Sequence, residues 1–241
     1  MAHQTEIKAF EDPERYTEFN QRPLVLAARQ ELEKLLRCHS FVGKTVLEVG
    51  CGGSSFQFCY SGAKRVILSD VNLTLLKRNE GLSLKVVCDG ESLSFKNHSF
   101  QFIILFGVLH HYSDQERGLL ELRRLLAPGG TILMAEPRTR SLNVIYRFLR
   151  RLALRWVKPE KLTVLTGCFS PDETLVDERQ LAALFQNGYR LSCYRKFCVR
   201  FPPLPFVRQW RGERFLNRLF DRIPAFSRFG TMLYMTIHNE R

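Results

Sequence analysis

The chain has 241 residues, 45% hydrophobic and 25% charged, which suits one α/β domain with appendages and excludes disordered, collagen-like and low-complexity classes. Its net charge of +12 is unevenly placed. Residues 1–137 carry 16 basic and 16 acidic side chains and residues 138–241 carry 20 and 8, so the whole excess lies in the second half, which suggests two jobs on one chain.

The opening MAHQTEIKAFEDPER has no apolar h-region, so no secretory signal is expected. Residues 10–38 read as helical, with Leu24, Ala27, Ala28, Leu32, Leu35 and Leu36 at three- and four-residue spacing and Pro23 suited to a first turn. Lys44–Gly53 is a β-rich run ending in a glycine turn. Arg65–Asp70, Leu84–Asp89 and Phe100–Leu105 read as three further strands. Leu119–Leu126 is an amphipathic helix stopped by Pro128-Gly129-Gly130, and Thr131–Ala135 is a fifth strand. Beyond Pro137, residues 141–157 and 212–223 read as helices with aromatic and aliphatic faces opposite arginines. Ser170–Glu173 marks a helix start or turn. Asp177–Gln186 is a short helix, and Tyr189–Phe197 and Met232–His238 are late strands.

Strands alternating with helices predict a doubly wound parallel sheet, in which ligands bind beyond the carboxyl ends of the strands. Seven scattered cysteines without CxxC or Cys/His spacing argue against a metal site and for a reducing compartment. Asn97–Ser113 lacks charged residues, but its apolar part is about half a membrane span.

The informative polar residues sit at predicted strand ends. In Glu48–Ser54, Gly50 and Gly52 allow a ligand to approach the backbone, where a Cβ would collide with it. The plainer reading is a tight strand-to-helix turn. Asp70 stands where a carboxylate accepts from a ribose diol, or where it caps a helix. Asp89 can accept from the exocyclic amine of a base, or can serve a turn before Gly90. The glycine turn holds no Lys or Arg and there is no phosphate-loop motif, so a nucleoside without phosphates is expected. His110 and His111 follow the fourth strand, where either can take a proton from an acceptor or pack beneath the ligand. Glu136 ends the fifth strand and faces the cleft by topology, as a substrate contact or an organiser of a loop.

The runs VLEVGCGG, ILSD, VVCDGESLSF, FQFIILFGVLHH and ELRRLLAPGGTILMAEP, over roughly residues 40–137, resemble the class I S-adenosylmethionine-dependent methyltransferases of the methyltransferase type 11 group. The resemblance implies a Rossmann-like doubly wound seven-stranded sheet with the last strand antiparallel. It implies S-adenosyl-L-methionine as cofactor. It places Glu48 beneath the glycine turn, Gly50, Cys51 and Gly52 along the methionine part, and Asp70 on the ribose. Val71 packs on the adenine, Asp89 and Gly90 read its edge, and Phe106 lies near the amine and sulfonium. Two departures stand out: Gln101 replaces a usual acidic residue, and Ser54 replaces a third glycine.

Three segments follow: an N-terminal helical segment over 1–40, a cofactor-binding core over 41–137, and a basic part over 138–241 that supplies lid helices and the last two strands. The expected activity is methyl transfer to an O, N or C acceptor on a small-molecule or lipid-like substrate. A tRNA wobble-uridine methyltransferase and a non-catalytic cofactor-binding scaffold are the alternatives. The basic amphipathic helices suit an anionic membrane surface, with tRNA a lesser expectation and no metal partner. The expected location is cytoplasmic, peripheral on the inner membrane face.

Overall fold

The structure, a computed structural model, describes residues 13–137, 176–196, 219, 221–222 and 230–241. The N-terminal helical stretch is two helices, α1 (Pro13–Asn20) and α2 (Pro23–Arg37). Pro23 explains the break, since a proline pushes the residue before it out of helical geometry. Arg22 is extended, at φ −62 and ψ 136. Ala28, Leu32 and Leu36 form the buried stripe of α2 that the periodicity predicts.

Seven strands follow: β1 (Thr45–Val49), β2 (Arg65–Asp70), β3 (Leu84–Val87), β4 (Phe100–Phe106), β5 (Leu126–Pro137), β6 (Tyr189–Lys196) and β7 (Met232–Asn239). They form one sheet in the order β3-β2-β1-β4-β5-β7-β6. β1 to β5 run parallel, while β7 lies antiparallel between β5 and β6. This is the doubly wound sheet with a reversed last strand. Its order turns around between β1 and β4, where such sheets open a crevice.

The central strands are apolar on both faces, as a parallel sheet requires. Leu47, Val49, Ile103, Leu105, Ile132 and Met134 pack with Leu119, Leu122 and Leu125 of α4 (Gln115–Leu125). On the other face, Val46, Phe102, Ile104, Leu133 and Ala135 pack with Leu32 and Leu36 of α2. The period of two therefore assigns Glu136 to the α4 side, and Glu48 and Phe106 to the α2 side.

Three connections depart from the sequence reading. The glycine turn leads into a single 3-10 turn, Gln57–Cys59, instead of an α-helix. The segment from Cys51 to Gly62 is rich in Gly, Ser and aromatic residues, which are poor helix formers. β2 is followed by one short helix, α3 (Leu73–Lys77). β5 begins at Leu126, so Pro128-Gly129-Gly130 ends α4 but lies within the strand. A register shift between Phe100 and Phe102 accommodates it. From the second half come α5 (Glu178–Leu184), β6 and β7. The predicted helix at 141–157, the turn at Ser170–Glu173 and nearly all of 212–223 lie outside the described residues. Among the described residues no helix is long and apolar enough to cross a membrane.

Candidate functional site

The polar residues flagged in the sequence gather at the carboxyl ends of β1 to β5. Gly50 and Gly52 have φ of +62 and +54, a region that glycine occupies without strain. A Cβ at Gly50 would come within 2.6 Å of Val108, and one at Gly52 within 1.8 Å of the Tyr16 hydroxyl. The collision expected with a ligand is therefore a collision with the protein's own side chains.

Asp70 ties the turn to β2. Its Oδ2 accepts from Gly52 N at 2.7 Å and its Oδ1 from Asn72 N at 2.8 Å. Burial raises its carboxyl above the ordinary value, and N–H donors from Asn72, Gly52 and Val71 pull against that rise. The cap of α3 is Asn72, whose side chain accepts from Leu75 N at 3.1 Å, so Asp70 is not the helix cap. Asn79, buried beside the turn, donates to Gly52 O at 2.7 Å and accepts from Ser55 N at 2.8 Å.

Glu48 lies buried under the turn. Phe56 N donates to both its oxygens at 3.0 Å, and the Tyr60 hydroxyl donates to Oε2 at 2.7 Å. Desolvation pushes its carboxyl up to about 7, against the pull of Tyr60, Phe56 and Arg29. Its acceptors hold the segment after the turn. Cys51 is buried, and burial pushes its thiol far up, which makes it an inert filler.

Phe106 ends β4 and meets Phe56 edge-on, with centroids 5.6 Å apart. Over these rings lies the guanidinium of Arg29, 4.1 Å from the Phe56 centroid and 5.5 Å from that of Phe106. Tyr16 of α1 closes the turn from above, accepting from Gly53 N at 3.2 Å.

At the end of β3, Asp89 accepts from Glu91 N at 2.8 Å, and Val71 is 39% exposed. Gly90 faces the Tyr112 hydroxyl, which a Cβ there would meet at 1.8 Å. That hydroxyl is buried without a hydrogen-bond partner.

Beyond β4 the two histidines diverge, although their rings touch at 3.9 Å between centroids. His110 is buried, with Nδ1 2.9 Å from Glu136 Oε2. Glu136 is wholly buried, and its Oε1 accepts from Val108 N at 2.8 Å and Leu109 N at 3.0 Å. Glu136 therefore organises the loop after β4. His111 is half-buried and close enough to Asp70 to act on its charge.

A nucleoside fits this donor set. Each Asp70 oxygen has lone-pair capacity beyond the side-chain contacts named above, enough to accept from a diol. Asp89 stands on the adjacent strand for an exocyclic amine, and the exposed Val71 offers an apolar surface. Among the described residues no cluster of three or more His, Cys, Asp or Glu could hold a metal ion.

Sequence reasoning missed Tyr16, Arg29 and Asn79. Tyr16 and Asn79 reach the turn by long-range contacts that leave no local pattern. Arg29 left a faint signal, a cation three residues before buried Leu32 at the edge of the apolar stripe.

Residues 47–134 match the family model of a methyltransferase domain. Among curated proteins, the chain is 33% identical over 96 residues to the mouse (Mus musculus) "Probable tRNA methyltransferase 9B", a match covering 38% of this chain and 21% of that one. The chain thus spans about a fifth of that relative's length. It is 27% identical over 169 residues to the ubiquinone/menaquinone biosynthesis C-methyltransferase UbiE of Francisella tularensis subsp. holarctica, covering 60% of this chain and 68% of that one. Among solved structures, an S-adenosylmethionine-dependent methyltransferase from Mesorhizobium loti superposes with a TM-score of 0.58 at 18% identity, covering 92% of this chain and 100% of that one. That last likeness is one of fold.

Proposed function

We propose that this chain, which belongs through residues 47–134 to the class I, Rossmann-like methyltransferase family, transfers a methyl group from S-adenosylmethionine to an O, N or C acceptor on a small-molecule or lipid-like substrate. The observation that carries the reading is spatial order. Asp89, Asp70, the Gly50–Gly52 turn and Phe106 end β3, β2, β1 and β4, four neighbouring strands. A nucleoside with a tail lies across them in that sequence, with its base at Asp89 and Gly90, its ribose at Asp70, and its tail at the turn.

When bound, the cofactor supplies a methyl group on a positively charged sulfur. The chain's own residues orient and exclude water, since transfer of an activated methyl is mainly a matter of alignment. Where the acceptor is a hydroxyl or amine, His110 takes its proton. Glu136 Oε2 accepts from Nδ1–H of His110 at 2.9 Å, which leaves the Nε2 lone pair as the base and pairs the imidazolium once the proton arrives. His111 belongs to the cofactor side of the cleft, near Asp70.

The longer alignment favours the small-molecule or lipid-like acceptor. The match to the UbiE protein reaches 169 residues. The match to the tRNA-named relative spans 96, about the length of the cofactor-reading core. The basic second half adds an anionic membrane surface as the meeting place with a lipid-like acceptor.

Calorimetry with S-adenosylhomocysteine tests the cofactor site. We expect binding, weakened by about 1.5–3 kcal/mol in Asp70→Ala, as when a hydrogen bond to a charged group is lost. A tritiated-methyl screen over lipid, small-molecule and tRNA fractions tests the acceptor. Label in tRNA alone would replace the acceptor reading, and cofactor binding without label anywhere would make the chain a scaffold.

A further inference from the structure

We infer that Arg29 holds the carboxylate of the cofactor's amino-acid tail, an inference that rests on the cofactor reading above. The starting point is an arginine with nothing to pair with. Arg29 is half-buried, stacked on Phe56 and beside Phe106. Among the described residues it has no ion pair and no hydrogen bond; the two rings are its contacts. Glu48 is within electrostatic reach, but its oxygens are held by Phe56 N and the Tyr60 hydroxyl. A guanidinium carries five N–H donors in a planar fork that matches a carboxylate two bonds at a time. Stacking on an aromatic face fixes the plane of that fork and leaves its edge for an anion.

Its position selects the anion. Phe56 follows the glycine turn after β1, and Phe106 ends β4. Asp70 and Asp89 lie on the other side of that turn, at β2 and β3. A ligand whose ribose and base are read there extends its tail over β1 toward β4, beneath Arg29. Tyr16 stands close enough to Asp70 and Arg29 to feel both charges, so these groups share one cleft. The tail is an α-amino acid, and its carboxylate is the molecule's one anionic group. A carboxylate on the methyl acceptor has the same chemistry, and the two sources give different results below.

The test is calorimetry on the full chain with two probes. S-adenosylhomocysteine carries the amino-acid tail. 5′-Methylthioadenosine carries the same nucleoside and sulfur without it. We expect Arg29→Gln to weaken S-adenosylhomocysteine binding roughly 10- to 150-fold, the worth of a hydrogen-bonded charge, and to leave methylthioadenosine binding unchanged. Arg29→Lys should fall between, keeping the charge but losing the fork. Equal losses for both probes would make Arg29 a structural residue and overturn the inference. Unchanged S-adenosylhomocysteine binding would overturn it too and would move the arginine to an acceptor's carboxylate. If the wild-type chain binds neither probe, the cofactor reading fails, and this inference with it.

Discussion

Replacing Glu136 by alanine removes one side chain and orphans three donors. In the intact protein the carboxylate accepts from Val108 N, Leu109 N and His110 Nδ1 at 2.8, 3.0 and 2.9 Å, and Glu136 has no exposed surface. Each donor left unpaired in a buried place costs about 1–3 kcal/mol. Water entering the vacated space offsets part of the sum, so about 3–6 kcal/mol is expected. For a chain of this size that lowers the melting temperature by roughly 6–24 °C. Glu136→Gln keeps the oxygen facing the two backbone N–H groups but turns an NH2 toward His110. Its melting point should stay much closer to wild type, while the imidazole is forced into the other tautomer with its hydrogen on Nε2. Nitrogen-15 NMR of the histidine ring reads that exchange directly, and the base proposed for catalysis is lost with it. Thermal unfolding of both variants beside the wild type is the assay. An alanine variant melting within about 2 °C of wild type would refute the argument that this carboxylate holds the loop.

Glu48 gives a pH prediction of definite sign. Its carboxyl is raised from 4.5 to about 7 by desolvation, so the folded state binds the proton more tightly. Stability should therefore be greatest below pH 4.5 and fall as pH rises through about 7, by on the order of 3 kcal/mol from this group. Glu48→Gln should flatten that slope in urea titrations, and a slope of the same size in the variant would assign it elsewhere. Gly90→Ala should cost about 1–3 kcal/mol by overpacking, because its Cβ would meet the Tyr112 hydroxyl at 1.8 Å. Gly90→Ala with Tyr112→Phe should recover most of that loss, and additive losses in a double-mutant cycle would deny the contact. Arg147, Arg151 and Arg155 lie on the basic face of the predicted 141–157 helix, each worth about 1 kcal/mol at an anionic bilayer. Changing all three to Glu should abolish flotation with anionic liposomes at low salt, and undiminished flotation would deny that helix its membrane role.

The sheet was legible because apolar runs such as RVILSD and FQFIILF have few ways to be buried except as central parallel strands. The acidic residues at their ends inherit positions from the topology, which is why Asp70 and Asp89 could be placed before any coordinates. Less of the site was legible where it depends on distant segments meeting. The sequence says that Gly50 and Gly52 lack a Cβ, but not that Val108 and Tyr16 occupy the space. It flags His110 and His111 alike as bases. Only the pairing of β4 with β5, which brings Glu136 under the loop, separates a buried imidazole from one facing Asp70. Arg29 looked like an ordinary surface cation at the border of a helix stripe, since the rings beneath it come from other strands.

The placement of β7 sets the order in which this sheet can be assembled. β1 to β4 pair with neighbours nearby in the chain, but Thr131 of β5 lies opposite His238 of β7. β6, the earlier strand, finds its sheet partner in β7 alone. On a ribosome the residues of β6 emerge first and stay without an edge to join until residues 232–239 follow. Closing so long a loop is an entropic barrier that local pairing does not face. The nucleoside-reading half can thus form early, while α5 and β6 are recruited in one late step governed by a single strand.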